Sequence, residues 1–374
     1  MRQNWRGKVI VYLSTLILLL TSCTSPTQSP ADFINQTATR HGGQVSGMAF
    51  KVFTSDEVIF ANFYGYANEA QGLAIDEDTV FKWGSITKSL TWIAILQLME
   101  QGEIDIHADI RTYISDDFLP DLIYPTTIYH LMTHSSGFVE GDIFRYYIEL
   151  IRGLRPQDNY NLPYTIIGYT LRRMEMPQRL SPGVHRGDYS HYNVILASYI
   201  VEQISGRPFY EHVHDIVFDK LNMAHTSTLY GSSDNVWVRE RMDRQACYSS
   251  ADRRLEAECY RLSSAYMIGG VASTITDFHR FAMALMLCDN GYALFENHET
   301  LLKLHRLFEY EIAAFTDPKS GIIALNGQMC HTATVLLDTH RGMGVIVMTN
   351  QENEGFFNRV SFLGDVIERF SRVA

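Results

Sequence analysis

The sequence predicts a mixed α/β (α+β) protein: an antiparallel sheet assembled from both chain ends, flanked by helices, with a mainly helical region inserted between. Three observations predict it. Strand-like runs open and close the globular part. Helical apolar periodicity fills the middle. The length suffices for a large core, as two domains or one big one.

The elements follow in order. Arg2, Arg6 and Lys8 precede an apolar run, Val9 to Leu20, that is short for a bilayer span and suits a signal peptide. That run ends in "LTSC", which resembles a bacterial lipobox with Cys23 as the lipidated residue. A plain signal peptide with an incidental cysteine is the alternative. Thr24, not Asp, follows Cys23, which in a Gram-negative cell implies outer-membrane delivery. Residues 1–22 are thus assigned as leader and 23–36 as a polar, Pro-containing tether. Residues 37–374 form the folded part, with an α/β portion at 37–84 and 265–374 and a helical portion at 85–264.

"GMAFKVFTSDEVIFANFYGYA" reads as a hairpin turning at Thr54-Ser55-Asp56. "SITKSLTWIAILQLMEQG" has helical spacing at Leu90, Ile93, Leu96 and Leu98 and a Gly102 stop. "HYNVILASYIVEQISG" is a helix closed by Gly206. "STITDFHRFAMALM" carries an N-cap hydroxyl and an acid in its first turn. "HTATVLLD" and "GMGVIVMTN" read as strands around "THRG", and "FNRVSFLGDVIERF" as a closing helix.

Removing 22 of 374 residues leaves 352, and losing three leader cations takes the net charge from −11 to −14. Such acidity argues against nucleic acid and against charge-driven binding to anionic lipid. Export permits disulfides. Cys247 and Cys259 flank a polar stretch and form a disulfide candidate. For Cys288 and Cys330, bonding and simple apolar burial stand equally open.

In "FKWGSITKSLTW", Ser85 precedes Lys88 by three positions, so both share a helix face. A serine hydroxyl is a weak nucleophile until a neighbour takes its proton. A lysine does so only as the neutral amine, which burial favours. A helix N-terminus adds N–H groups that favour developing negative charge. The motif alone is weak. Its context, a strand-like run and Gly84 before it and an apolar helix after it, strengthens it. A junction of sheet and helical parts is also where small-molecule sites form.

Here the chain resembles the penicillin-recognising serine hydrolases, a group of class C β-lactamases, DD-peptidases and β-lactamase-fold esterases. The segments "TTIYHLMTHSSGF", "SPGVHRGDYSHYNVILASYIVEQISGRPFYEHV", "GGVASTITDFHRFAMAL" and "RGMGVIVMTNQEN" match that family in order. The resemblance implies a β-lactamase/transpeptidase-like fold. It makes Ser85 the acylated nucleophile, Lys88 its partner and Tyr189 the proton-transfer tyrosine, with the Ser85 N–H in the oxyanion hole.

Two departures stand out. The second motif ends in His191, where the family has an amide-donating Asn. The third motif, Lys/His-Thr-Gly, falls near Ala324-Leu325-Asn326, or Leu325-Asn326-Gly327 with one deletion. His331 to Ala333 looks like that motif but lies too near the last strand. Asn326, Gly327, His191 and His331 are therefore the candidate substrate-binding residues, His331 the candidate cation for a substrate carboxylate. His130 with His134, and His212 with His214, have spacings that could ligate a metal but lack further ligands in register. No metal and no cofactor is expected.

The expected function is an exported, lipid-anchored serine hydrolase of the bacterial cell envelope. Its substrate would be a β-lactam, a D-alanyl peptide or another peptidoglycan-derived or small ester or amide. The alternative is a catalytically weakened module that binds peptidoglycan or protein.

Overall fold

The computed structural model describes residues 46–115, 122–138, 166–171, 178–184, 189–228, 235–248, 266–287, 291–310, 314–317, 321–351 and 360–371, with single residues between 29 and 36. Cys23, Cys259 and Cys288 lie outside the described residues.

The strands are β1 Gly47–Thr54, β2 Val58–Asn68, β3 Leu73–Ala74, β4 Val80–Lys82, β5 Thr226–Ser227, β6 Ala272–Thr274, β7 Ala314–Asp317, β8 Ile322–Met329, β9 His331–Asp338 and β10 Met343–Thr349. The helices are α1 Ser89–Glu100, α2 Ile128–Met132, α3 Ile166–Leu171, α4 His191–Ser205, α5 Phe209–Val213, α6 Val236–Met242, α7 Tyr266–Gly269, α8 Ile275–Met286, α9 His298–Leu307 and α10 Val360–Phe370.

The main sheet is antiparallel, in the order β3-β2-β1-β10-β9-β8-β7, so both chain ends meet at the β1–β10 pairing. A second sheet, β4-β6-β5, ties the strand before the Ser-x-x-Lys turn to the entry of α8. The strand-like run before Gly84 is β4, but its pairing with β6 and of β6 with β5 left no mark in the sequence. The strands of this sheet are two or three residues long, too short for a period-2 signal.

Period-2 alternation sorts the sheet faces. Ala49 and Phe53 of β1 join the main core with α1, α4 and α8, whereas Met48, Phe50 and Val52 pack under α10 with Leu363, Val366 and Ile367. Helices therefore cover both faces, and β9 and β10 are buried along their whole length. Local signals set the helix ends as expected. Thr274 caps α8 by accepting the Asp277 N–H at 3.2 Å, and Gly206 ends α4 at φ 68°.

One buried cation interrupts the main core. Lys51 of β1 is 6% exposed, and its ammonium donates to Thr276 Oγ1 at 3.2 Å. Burial first, then the nearby Arg280 charge, lowers its pKa from 10.5 to about 8. A lysine whose folded pKa lies below its unfolded value costs stability wherever it must be protonated. The cost is complete below pH 8 and fades as pH rises toward 10.5. Replacing Lys51 with Met should therefore stabilise the fold at pH 7, by at most about 3 kcal/mol. Urea unfolding should show the gain shrinking at pH 10; an equal gain at both pH values would contradict the ammonium cost.

Candidate active site

The site starts from two glycines. Gly84 leaves β4 at φ +54°, a conformation that favours glycine. A Cβ there would meet the Gln328 nitrogen at 2.4 Å. On β8, a Cβ at Gly327 would lie 1.8 Å from the Trp83 oxygen and 2.9 Å from the Ser85 nitrogen. The two backbones are thus in direct contact. Trp83 pins the turn from behind, with its ring 5.0 and 4.7 Å from those of Phe278 and Phe281 and its indole N–H donating to Ser273 Oγ at 2.7 Å. Each aromatic pair contributes about 0.5–1.5 kcal/mol beyond its buried area.

Ser85 sits in a 3-10 turn, Gly84–Lys88, that runs into α1. The α-helix proper starts four residues later than the motif suggests, and the side-chain geometry survives. Lys88 Nζ is 2.9 Å from Ser85 Oγ and donates to the Ile268 carbonyl at 2.7 Å. Lys88 is 1% exposed, while Ser85 is half-buried and can meet a ligand. Tyr189, 104 positions away, brings its hydroxyl to 3.2 Å from Ser85 Oγ. Lys88 Nζ also lies 5.2 Å from the Tyr189 ring centroid. All three expected catalytic residues therefore converge on one oxygen.

His191 opens α4 beside them, half-buried, with its ring edge-on to Tyr189 at 5.1 Å. Of the candidate third-motif residues, Gly327 is the one whose backbone lies against the Ser85 turn, the placement that the register Leu325-Asn326-Gly327 would give it. The other two third-motif expectations are corrected. The Asn326 side chain accepts from Thr334 Oγ1 at 2.9 Å, on the face opposite Leu325 and Gly327. Strand alternation turns it away from Ser85. His331 is 0% exposed, and its Nδ1 accepts the Lys82 N–H at 3.0 Å. Burial, aided by the Lys82 charge, lowers its pKa to about 3, so it is neutral at pH 7 and supplies no cation. In that register the first position is Leu325, 4% exposed in the main core.

Cys247 and Cys330 are both disulfide-bonded, so Cys330 is not merely a small apolar residue. Of the histidines weighed as metal ligands, His130 completes a capping box with Thr127 at the start of α2. His214 lies near Asp215 and Asp219, but Asp215 is paired with Arg207 at 2.6 Å and His214 with Asp219 at 3.3 Å. His134 follows the end of α2 and lies behind the site, its ring 4.8 Å from that of Tyr189. The segment "THSSG" was visible in the sequence, but nothing in it shows that its histidine meets Tyr189.

A half-exposed serine hydroxyl, held between a buried lysine amine and a tyrosine phenol, defines a serine-hydrolase type of centre. The sequence model of the family described as Beta-lactamase matches residues 34–362, and the chain belongs to that family, whose members are serine hydrolases. It is 29% identical over 176 residues to Esterase EstB of Burkholderia gladioli, covering 45% of this chain and 43% of that one. Among solved structures it resembles the octameric penicillin-binding protein homologue from Pyrococcus abyssi, with a TM-score of 0.69, 20% identity and coverage of 91% and 77% of the two chains. FmtA from Staphylococcus aureus superposes with a TM-score of 0.68 at 17% identity, over 91% of this chain and 89% of that one. The chain spans about half the length of the curated relatives it matches.

The glycine contact makes a sharp prediction. Gly327→Ala would force the two backbones apart, because the atom its Cβ meets is a carbonyl oxygen and not a flexible side-chain end. Covalent labelling of Ser85 by a fluorophosphonate should slow by at least about 100-fold, the scale of a lost oxyanion contact. Labelling at the wild-type rate would show that the approach is not needed.

Proposed function

We propose that the protein is an exported, lipid-anchored serine hydrolase that opens an ester or amide through an acyl-enzyme on Ser85. The observation that carries this reading is the convergence of Lys88 Nζ and the Tyr189 hydroxyl on Ser85 Oγ, at 2.9 and 3.2 Å. With Lys88 neutral, the Ile268 carbonyl takes one N–H and leaves the nitrogen lone pair for the Ser85 proton. Ser85 Oγ then attacks the substrate carbonyl. Its carbonyl oxygen becomes an oxyanion beside the Ser85 N–H, at the Gly84–Gly327 contact. Tyr189 passes a proton to the leaving group as the carbon–heteroatom bond breaks. In the second half, water loses a proton to the same pair and adds to the acyl carbonyl, and Ser85 is released.

Leu325 points to the substrate class. A leucine where the family has a cation leaves a substrate carboxylate without its usual partner. That favours neutral esters and amides over β-lactams, which carry a carboxylate. Similarity to an esterase over 176 residues supports the same reading. The leader pattern ending at Cys23 supports lipid anchoring, and disulfides at Cys247 and Cys330 support an oxidising compartment outside the cytoplasm.

The second reading, a binding module with weakened chemistry, draws on the same Leu325 and on His191 in place of the amide-donating Asn. Labelling separates the two. A fluorophosphonate should label the wild type strongly and a fluorescent penicillin weakly. Ser85→Ala should abolish both signals, and Tyr189→Phe should slow them by about 100-fold. No labelling by either probe would leave the binding module standing.

Anchoring has its own test. The full chain expressed in a Gram-negative host should fractionate with the outer membrane, and Cys23→Ser should move it to the soluble periplasm. A wild type already soluble there would refute the anchor.

A further inference from the structure

His134 is the strongest feature near the site that the chemistry above leaves unused. It is 1% exposed and adopts φ 48°, a conformation that few non-glycine residues take. Residues held in such conformations persist only where surrounding contacts determine them. Here those contacts run to the catalytic elements. His134 Nδ1 accepts the backbone N–H of Ser190, the residue next to Tyr189, at 3.1 Å. The ring lies tilted against that of Tyr189 at 4.8 Å. From the other side Trp92 of α1, one turn beyond Lys88, meets it edge-on at 6.2 Å. Asn193 of α4 comes within 3.5 Å of the same Nδ1, and its Oδ1 accepts from Ser136 Oγ at 2.7 Å.

These contacts make His134 a spacer between two pieces of chain that carry different catalytic groups. One piece is the helix that follows Lys88, the other the segment that carries Tyr189. Tyr189 precedes the first turn of α4, whose N-cap is Ser190. The bond from Ser190 N–H to the imidazole sets the direction of the chain at that point, and the ring contact sets the tilt of the phenol. We infer that His134 is the positioning residue for Tyr189, holding its hydroxyl within reach of Ser85 Oγ. The inference deepens the hydrolase reading and rests on it for its kinetic part.

The test replaces the ring's acceptor and keeps its bulk. His134→Phe and His134→Gln share the cost of the left-handed backbone, so their difference reports the acceptor. With a p-nitrophenyl ester, His134→Phe should lower kcat about tenfold at unchanged KM, and His134→Gln should restore most of it. In the Tyr189→Phe background, His134→Phe should change kcat by less than about twofold, since a residue acting through Tyr189 has nothing left to position. Multiplicative losses would overturn the inference. A second readout needs no activity. In protein carrying 3-fluorotyrosine, the fluorine resonance missing from Tyr189→Phe identifies Tyr189. It should shift or broaden in His134→Phe and recover in His134→Gln; an unmoved resonance would overturn the inference. If the wild type shows no Ser85 labelling, the hydrolase reading falls and this resonance still decides the role of His134. Should His134→Phe fail to fold, His134→Leu, a smaller acceptor-free change, takes its place in both measurements.

Discussion

The site depends on a backbone contact made possible by two missing side chains. Gly327 lies on β8, toward one edge of the main sheet, and Gly84 sits where β4 turns toward the catalytic helix. Because neither carries a Cβ, the strand can press against the turn that holds Ser85. Atoms this close leave no room for independent motion, so the packing of the sheet is transmitted to the nucleophile. Trp83 completes the clamp from the core side, and the β4-β6-β5 sheet holds the turn's entry in place. The remaining groups arrive as consequences. Once the turn is fixed, Lys88 lies under Ser85 and finds the Ile268 carbonyl.

Burial divides the site's titratable groups by task. Lys88 lies beneath Ser85 at 1% exposure, its amine set between the Ser85 hydroxyl and the Ile268 carbonyl. His331 is buried as well, but its partner is a backbone N–H on β4, so its proton chemistry is spent on structure. Lys51 shows what such burial costs where no chemistry uses it: burial and the Arg280 charge lower its pKa to about 8. Burial alone therefore does not mark a functional group. What separates Lys88 from Lys51 and His331 is a second group on the same oxygen: the Tyr189 hydroxyl reaches Ser85 Oγ at 3.2 Å beside the Lys88 amine at 2.9 Å.

Much of the fold was legible because its elements are long and amphipathic. The hairpin at Thr54-Ser55-Asp56, the strands from His331 and Met343, and the helices starting at His191 and Ile275 all match their periodic patterns. The clustering of Ser85, Lys88 and Tyr189 was legible through motifs, since Ser85 and Lys88 are three apart and Tyr189 stands in a matched segment. Asn326 and His331 were misplaced for a simple reason. A one-residue change of register on a strand reverses the face a side chain points to. The sequence showed residues of a suitable type near the last strands, and only the β8–β9 pairing revealed which of them face Ser85.

By itself the amino-acid order determined the family, the sheet-and-helix plan and the pairing of Ser85 with Lys88. Those follow from local periodicity and short-range spacing, which act between neighbours along the chain. The tertiary structure alone decided which glycine touches the Ser85 turn, that Leu325 packs into the main core, and that His134 stands behind Tyr189. Those facts join residues between 55 and about 240 positions apart, and no local propensity specifies such meetings. They are set when the hydrophobic faces of strands and helices close over one core, because only then do backbones and side chains compete for the same space.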